Sequence, residues 1–209
     1  MNILRLALLA ITAGTLQAAP PNILLIISDD QSWNDYSFLG HKQIETPRID
    51  KLAAESLTYT RGYVAAPLCR PSLASMFTGL YGHQNGITGN DLRAPDGKKA
   101  SRKTPEGAKL HQQLYDRFKK QPGLASELKK QGYLSLQTGK WWESTPQSSG
   151  FTHAMTHADP KRGGRHGDAG LKVSRTGIKD IQSFLDDAKT AKKPFFIWHA
   201  PFLPHTPHN

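Results

Sequence analysis

The chain has 209 residues, a formal net charge of +10 at pH 7 and 1 cysteine. This length is enough for one domain with a hydrophobic core, and a single thiol excludes an intramolecular disulfide framework. The positive charge suits an anionic partner, but no nucleic-acid recognition motif accompanies it.

The first residues have the pattern of an export signal. A polar start containing Arg5 precedes the apolar run 6–11, and Ala18-Ala19 offers a small-residue cleavage site. The run is too short to cross a bilayer, and no later segment is apolar for long enough to do so. We therefore expect residues 1–19 to be a signal peptide, and the mature chain to be secreted or periplasmic without a membrane span.

The first half of the mature chain predicts an alternation of strands and helices. Residues 22–27 are a continuous apolar run rich in β-branched residues, which is typical of a strand buried on both faces of a parallel sheet. Thr46-Pro47 has the pattern of an N-cap followed by a first-turn proline, so a helix is expected after it. Residues 57–63 are strand-like. Residues 71–77 are expected to form a helix that ends at Gly79, with Cys69 just before its start.

The second half continues this alternation. The expected elements are helices over residues 123–130 and from Ile178, and strands over residues 133–137 and 194–198. Residues 91–113 are interpreted as a long basic loop, and residues 144–173 as irregular. The order predicts an α/β fold with a mainly parallel sheet sandwiched by helices. Because the chain ends in a polar loop after about four strands, which is a thin sheet for this layout, residues 20–209 are expected to be an incomplete domain.

Basic residues are concentrated in two stretches of the chain. They are Arg93, Lys98, Lys99, Arg102, Lys103, Lys109, Arg117, Lys119 and Lys120 in the first stretch, and Lys161, Arg162 and Arg165 in the second. Two interpretations stay open: a solvated loop, or a surface that steers a polyanion such as a sulfated polysaccharide.

Four polar side chains follow the expected strands. Asp29 and Asp30 come after the first strand, Lys140 after the middle one and His205 after the last. Because ligand sites in open parallel sheets form outside the carboxyl ends of the strands, we expect these side chains at one rim of the sheet. Cys69 is expected to join them, at a helix N-terminus whose unpaired N–H groups favour an anion.

Each of these residues also has an ordinary structural interpretation. An Asp-Asp pair after a strand is often a turn or a helix cap, although two adjacent carboxylates also suit Ca²⁺ or Mg²⁺. A lone cysteine such as Cys69 is usually a small buried hydrophobe. Lys140 also fits a surface base, and His205 a loop residue restrained by neighbouring prolines.

The segments around these residues occur in a characteristic order. They are residues 21–30, 46–53, 68–79, 139–141 and 194–207. In this order they resemble the N-terminal portion of the formylglycine-dependent sulfatases, an arylsulfatase-like family of the alkaline-phosphatase superfamily. The most specific segment, Leu-Cys-Arg-Pro-Ser-Leu-Ala-Ser-Met-Phe-Thr-Gly, resembles the family signature Cys-x-Pro-Ser-Arg followed by Thr-Gly. The five segments cover nearly the whole mature chain.

The resemblance implies a sulfuric ester hydrolase that acts on a sulfated small molecule or polysaccharide. It implies that a formylglycine-generating maturation enzyme oxidises Cys69 to formylglycine, whose hydrate supplies the attacking hydroxyl. Asp29 and Asp30, together with the modified Cys69, would hold Ca²⁺, with Mg²⁺ as the alternative. Lys140 would contact the sulfate oxygens, and His205 would contact the sulfate or protonate the leaving alcohol.

Two positions depart from the family pattern. Leu73 stands where the family has an arginine, and Trp142 stands where it has a histidine. The family also has a further Asp-Asn metal pair and a second lysine downstream of the His-Thr-Pro loop, and neither occurs by residue 209. These departures keep open a second interpretation, an inactive sulfatase-like protein that binds sulfated glycans through its basic loop.

A phosphatase or phosphodiesterase of the same superfamily is a third interpretation. Such enzymes use a Ser or Thr nucleophile, for which Ser72 or Ser75 could be nominated, and commonly hold two zinc ions. The Cys-x-Pro-Ser pattern favours Cys69 instead. A two-zinc site would also need more His and Asp ligands than the sequence offers.

Overall fold

The structure is a computed structural model that describes residues 19–157 and 172–206. The expected signal peptide, apart from Ala19, and the second basic stretch around Arg162 lie outside the described residues. Within the described part, none of the helices combines the length and the apolar character needed to cross a bilayer.

A parallel sheet of four strands lies at the centre of the described chain. Its strands are β1 (Ile23–Ile26), β2 (Leu134–Gly139), β3 (His153–Ala154) and β4 (Phe195–Ala200), and their order in the sheet is β1-β4-β2-β3. His199 of β4 pairs with Ile26 on one side and with Thr138 on the other. The carboxyl ends of β1, β4 and β2 therefore meet at one rim.

Helices occupy the connections between the strands. They are α1 (Pro47–Ala54), α2 (Cys69–Thr78), α3 (Gly82–Asn85), α4 (Pro105–Lys119), α5 (Leu124–Lys130) and α6 (Lys179–Ala191). Two short 3-10 helices cover Ser37–Leu39 and Pro146–Ser149. The second of them and β3 lie in the stretch that was expected to be irregular, of which residues 158–171 are not described.

Apolar side chains pack on both faces of the sheet because residues along β4 alternate between them. On one face, Phe77 of α2 packs against Trp198 of β4. On the other face, Phe184 of α6 packs against Leu136 and Ile197. Helices thus cover both faces, and the predicted α/β fold with a mainly parallel sheet sandwiched by helices is confirmed.

One face of β1 is more exposed than the sequence predicts. Ile23 and Leu25 pack against the core, but Leu24 and Ile26 are 55% and 60% exposed. β1 is an edge of the described sheet, and no described element covers its outer face. The prediction of a strand buried on both faces is therefore wrong for the described residues.

Residues 57–63 do not form a strand, so this prediction is wrong. Leu57, Tyr59 and Tyr63 are 78%, 80% and 91% exposed. A strand needs a hydrogen-bonded neighbour, and the described sheet ends at β1 without pairing with this segment. The apolar residues of the segment made it strand-like in sequence, but local pattern does not supply a partner.

The prediction of a long loop over residues 91–113 is also wrong for the second half of that range, because α4 begins there. Thr104 caps this helix, and its Oγ1 accepts a hydrogen bond from Gly107 N at 3.2 Å. Pro105 occupies the first helical turn, and Phe118 buries the apolar face. This is the same Thr-Pro signal that correctly predicts α1, hidden here in a basic stretch.

Candidate active site

Backbone hydrogen bonds hold the rim at the carboxyl ends of β1 and β4. Ile27 N donates to His199 O at 2.8 Å, and Asp29 N donates to Leu203 O at 3.1 Å. The pairing of the two strands therefore continues into the loops that follow them. As a result Asp29 is only 9% exposed, although it lies in a loop.

Lys140 is buried directly after β2 and forms an ion pair with Asp29 through Nζ and Oδ2. Gly139 precedes it with a φ of 77°, and a Cβ at that position would overlap the carbonyl oxygen of Ala200. Glycine is therefore required for the close approach of β2 and β4. Nζ also lies 4.5 Å from the centre of the Phe202 ring, which places an aromatic face beside the buried charge.

Cys69 is the first residue of α2, two residues earlier than the predicted start of that helix. Its Sγ donates a hydrogen bond to Asp29 Oδ1 at 3.4 Å. Asp29 therefore contacts the thiol through one carboxylate oxygen and Lys140 through the other. One buried carboxylate joins residues that are far apart in the sequence.

Asp30 and His205 complete the group of side chains at this rim. Asp30 has a φ of 59°, in the left-handed region, so the chain turns sharply after Asp29. The Oδ2 atom of Asp30 lies 3.5 Å from Nε2 of His205, on the more exposed side of the rim. The structure thus brings together Asp29, Asp30, Cys69, Lys140 and His205.

A cleft of about 260 Å³ is lined by four of these five residues, namely both aspartates, Cys69 and Lys140. Asp29, Cys69 and His205 offer ligand atoms that lie within 4.8 Å of one another. If Cys69 is converted to formylglycine, as the resemblance implies, an oxygen would take the place of Sγ. The Asp29 carboxylate and a formylglycine hydroxyl would be oxygen donors of the kind that Ca²⁺ and Mg²⁺ prefer. His205 offers a nitrogen instead, and Asp30, expected as a ligand, is not in this group. Ca²⁺ takes about six to eight oxygen ligands, more than these residues offer.

Comparison with known proteins identifies the family of this chain. The sequence profile of the family described as Sulfatase matches residues 21–209. The chain belongs to the sulfatase family. N-acetylgalactosamine-6-sulfatase of Canis lupus familiaris is 27% identical over 239 residues, and the match covers 96% of this chain and 43% of the relative. Arylsulfatase A of Homo sapiens is 47% identical over 75 residues, or 36% of this chain and 15% of the relative. The chain therefore spans less than half of the length of these curated relatives.

Two solved structures share the fold of this chain. Ps i-CgsB in complex with k-i-k-neocarrahexaose matches with a TM-score of 0.59 and 26% identity, covering 90% of this chain and 46% of that one. A protein solved in complex with its substrate D-glucosamine-2-N,6-O-disulfate matches with a TM-score of 0.62 and 22% identity, covering 89% and 35%. The second likeness supports the fold alone.

The two departures from the sulfatase pattern place apolar side chains at the site. Leu73 lines the cleft and packs against the hydrophobic core. Trp142 is buried, and its ring centre lies 5.9 Å from Lys140 Nζ. Where the sulfatase pattern has a charged and an ionisable side chain, this chain therefore has apolar surface around the lysine and the cysteine.

Sequence reasoning missed a second buried ion pair near the cleft. Arg70, the neighbour of Cys69, forms two hydrogen bonds with Glu143, Nε to Oε1 at 2.6 Å and Nη2 to Oε2 at 2.8 Å. Glu143 holds the pKa of Arg70 above its ordinary value, against the opposing effect of burial. No local sequence pattern links residues so far apart. The available signal was that Arg70 lies next to Cys69 and that Glu143 lies close to Lys140.

The unmodified thiol of Cys69 is expected to react slowly. Burial raises its pKa, and the nearby Asp29 carboxylate adds to this effect while Lys140 opposes it. Because the thiolate is the reactive form, a raised pKa lowers the reactive fraction at mildly alkaline pH. We expect iodoacetamide to alkylate Cys69 of metal-free, unconverted protein more slowly than the same cysteine after unfolding in urea. The difference should narrow as the pH rises through the folded-state pKa. Equal rates in folded and unfolded protein at mildly alkaline pH would contradict this.

Proposed function

We propose that this chain supplies the N-terminal part of a sulfatase catalytic domain that hydrolyses sulfate esters on sulfated carbohydrates. The observation that carries the proposal is the shared carboxylate of Asp29, which contacts both Cys69 and Lys140 in one cleft. A sulfate ester carries negative charge that increases at the transition state. A nucleophile beside a fixed cation is therefore the arrangement that this reaction needs.

Cys69 is proposed as the precursor of the nucleophile. After conversion to formylglycine by a maturation enzyme, its hydrate would supply one hydroxyl that attacks sulfur and a second that releases the sulfate. Cys69 itself is badly suited to attack as a thiol, because burial and Asp29 both raise its pKa. The position at the start of α2 also supplies N–H groups that favour negative charge.

Asp29 and Asp30 are proposed to hold a divalent cation, Ca²⁺ in the first instance and Mg²⁺ as the alternative, together with the modified Cys69. When bound, the cation would polarise the sulfate ester and help to ionise the attacking hydroxyl. Lys140 Nζ now lies on one oxygen of Asp29. A cation on that carboxylate would compete for the same oxygen and leave Nζ to bind a sulfate oxygen.

His205 is proposed to protonate the leaving alcohol or to contact the sulfate. Its Nε2 lies 3.5 Å from Oδ2 of Asp30, at the rim of the sheet. Its ring packs edge-on to Phe202, with centroids 4.8 Å apart, which restrains the loop that carries it. An acid at this position would donate its proton to the alcohol oxygen as the S–O bond breaks.

A sulfated carbohydrate is the substrate class that we propose. The name of the canine relative specifies a sulfated sugar, and a structural neighbour was solved with a sulfated glucosamine. The net charge of +10 would attract such a polyanion. We further propose a secreted or periplasmic location, in keeping with the export signal predicted over residues 1–19, and no nucleic-acid partner.

Removal of the cation tests this proposal. EDTA is expected to lower the hydrolysis of a sulfated monosaccharide by about 10²-fold or more, because the cation would stabilise the charge of the transition state. Added Ca²⁺ should restore activity, with Mg²⁺ and Zn²⁺ as parallel additions. Activity that is insensitive to EDTA would contradict the proposal. Activity restored only by Zn²⁺, and greater on phosphate esters, would indicate the phosphatase alternative.

A protein that only binds sulfated glycans is the second candidate function. The observation that favours it is that Leu73 in the cleft and the buried Trp142 stand where the family pattern has an arginine and a histidine. Calorimetric titration with a sulfated oligosaccharide distinguishes the two functions. Binding in EDTA without any turnover in Ca²⁺, by protein whose Cys69 remains a thiol, would favour this candidate.

A further inference from the structure

Arg70 and Glu143 form an ion pair that the proposed chemistry does not use. Their side chains are 1% and 4% exposed, and two guanidinium nitrogens each donate a hydrogen bond to a different oxygen of the carboxylate. Burying two charges costs desolvation energy that their attraction often fails to recover, so such a pair is weak evidence for stability. The position of the pair in the fold is therefore more informative than its contribution to stability.

The pair joins two segments of the site, one that carries Cys69 and one that carries the positive charge of Lys140. Arg70 follows Cys69 at the start of α2, and Glu143 lies three residues after Lys140. Toward its other end, α2 contacts the same segment through an edge-on contact of Phe77 with Trp141, with ring centroids 4.9 Å apart. α2 and the segment after β2 are thus fixed to each other at both ends, by an ion pair beside the site and by aromatic rings away from it.

Both partners are themselves held in place. The backbone N–H of Arg70 donates to Asn90 Oδ1 at 2.9 Å, so the first turn of α2 is restrained at its backbone and at its side chain. Trp141 Nε1 donates to the carbonyl oxygen of Glu143 at 3.1 Å. Arginine presents a planar pair of donors. The two hydrogen bonds therefore fix both the orientation of the first turn of α2 and its distance from Glu143.

We propose that the Arg70–Glu143 pair is a positioning device that sets where the Cys69-derived nucleophile lies relative to Lys140. The inference rests on the proposed function, because the separation matters only if these two groups act on one substrate. Displacement of a reacting group by about 1 Å can cost about 10²-fold in rate even when the altered residue never touches substrate. The pair would therefore act on kcat and hardly on KM.

The test uses a double variant, Arg70→Met/Glu143→Leu, which removes both charges together and leaves neither one buried alone. In protein with converted Cys69, we expect kcat to fall about 10- to 100-fold while KM changes less than about threefold. Hydrogen exchange should become about tenfold faster at the amides of Arg70, Ser72 and Leu73, since Pro71 has no amide hydrogen, but not in the second half of α2. The exposed pair Glu127–Lys130, whose atoms lie 2.7 Å apart, supplies the control Glu127→Leu/Lys130→Met, with both readouts unchanged.

A folded double variant with the kcat and the exchange of the parent protein would overturn the proposal. A fall in kcat without faster exchange at residues 70–73 would overturn it as well. If the parent protein with converted Cys69 hydrolyses no sulfate ester, the proposed function fails instead. The exchange data then decide alone whether the pair fixes the first turn of α2, since unchanged exchange would overturn that claim without any activity measurement.

Discussion

Replacing Cys69 by alanine is expected to lower sulfate-ester hydrolysis by about 10⁴-fold or more, because loss of a covalent nucleophile removes the reaction path and not merely a contact. The free energy of unfolding should change by less than about 1 kcal/mol, since Cys69 is only partly buried and its thiol makes one long hydrogen bond. Initial rates on a sulfated monosaccharide, with thermal melting of the same samples, measure both quantities.

The matched control for this variant is Thr58→Ala, a small side chain in an exposed segment outside the cleft. It should leave both the rate and the melting temperature unchanged. A Cys69→Ala protein that retains more than about a tenth of the parent rate would contradict the role of Cys69. Alanine has no group that could form a covalent intermediate, so catalysis through this residue would be lost.

The second large effect is expected from Lys140→Met. Its kcat should fall about 10²- to 10³-fold, because the variant loses a fixed positive charge aimed at the sulfate. In metal-free protein it should also lose about 3 to 5 kcal/mol of stability, because Asp29 is then a buried carboxylate without its partner. Ca²⁺ would restore much of this stability by neutralising Asp29, and it would not restore the rate.

A double variant separates these two effects. Asp29→Asn/Lys140→Met removes both charges, so the metal-free protein should regain stability relative to Lys140→Met. It should remain inactive and should no longer be stabilised by Ca²⁺. Melting curves with and without Ca²⁺, next to rate measurements, give the comparison. Full activity in either variant would show that Lys140 does not bind the reacting group.

The elements that sequence predicted correctly are those determined by short-range patterns. The apolar run before Asp29 and the run before His205 each form a strand, β1 and β4, within one or two residues of the expected bounds. Because both strands are parallel, their carboxyl ends share one rim, and the polar residues after them were predictable neighbours. The position of the cleft could therefore be predicted from the order of the motifs along the chain.

What sequence could not provide was the long-range pairing. The contact of Lys140 with Asp29 and that of Arg70 with Glu143 join residues with no periodic relation. The exposure of Leu24 depends on which elements cover β1. The segment near Tyr59 has a strand-like pattern, but it could form a strand only beside a neighbouring strand, which the described sheet does not provide. α4 was missed for another reason, because its basic composition outweighed a valid cap at Thr104.

Mass spectrometry of a peptide covering residues 65–78 tests whether Cys69 is converted to formylglycine. The protein should be purified from its native host or from cells that contain a formylglycine-generating enzyme. We expect a substantial fraction of the peptide to carry an aldehyde in place of the thiol, seen as loss of sulfur and reaction with a hydrazide probe. This is a demanding test, because Leu73 stands at the position of the arginine in the family signature. Peptide that contains only unmodified cysteine, from protein purified from the host, would contradict the account and favour a protein that binds sulfated glycans without hydrolysing them.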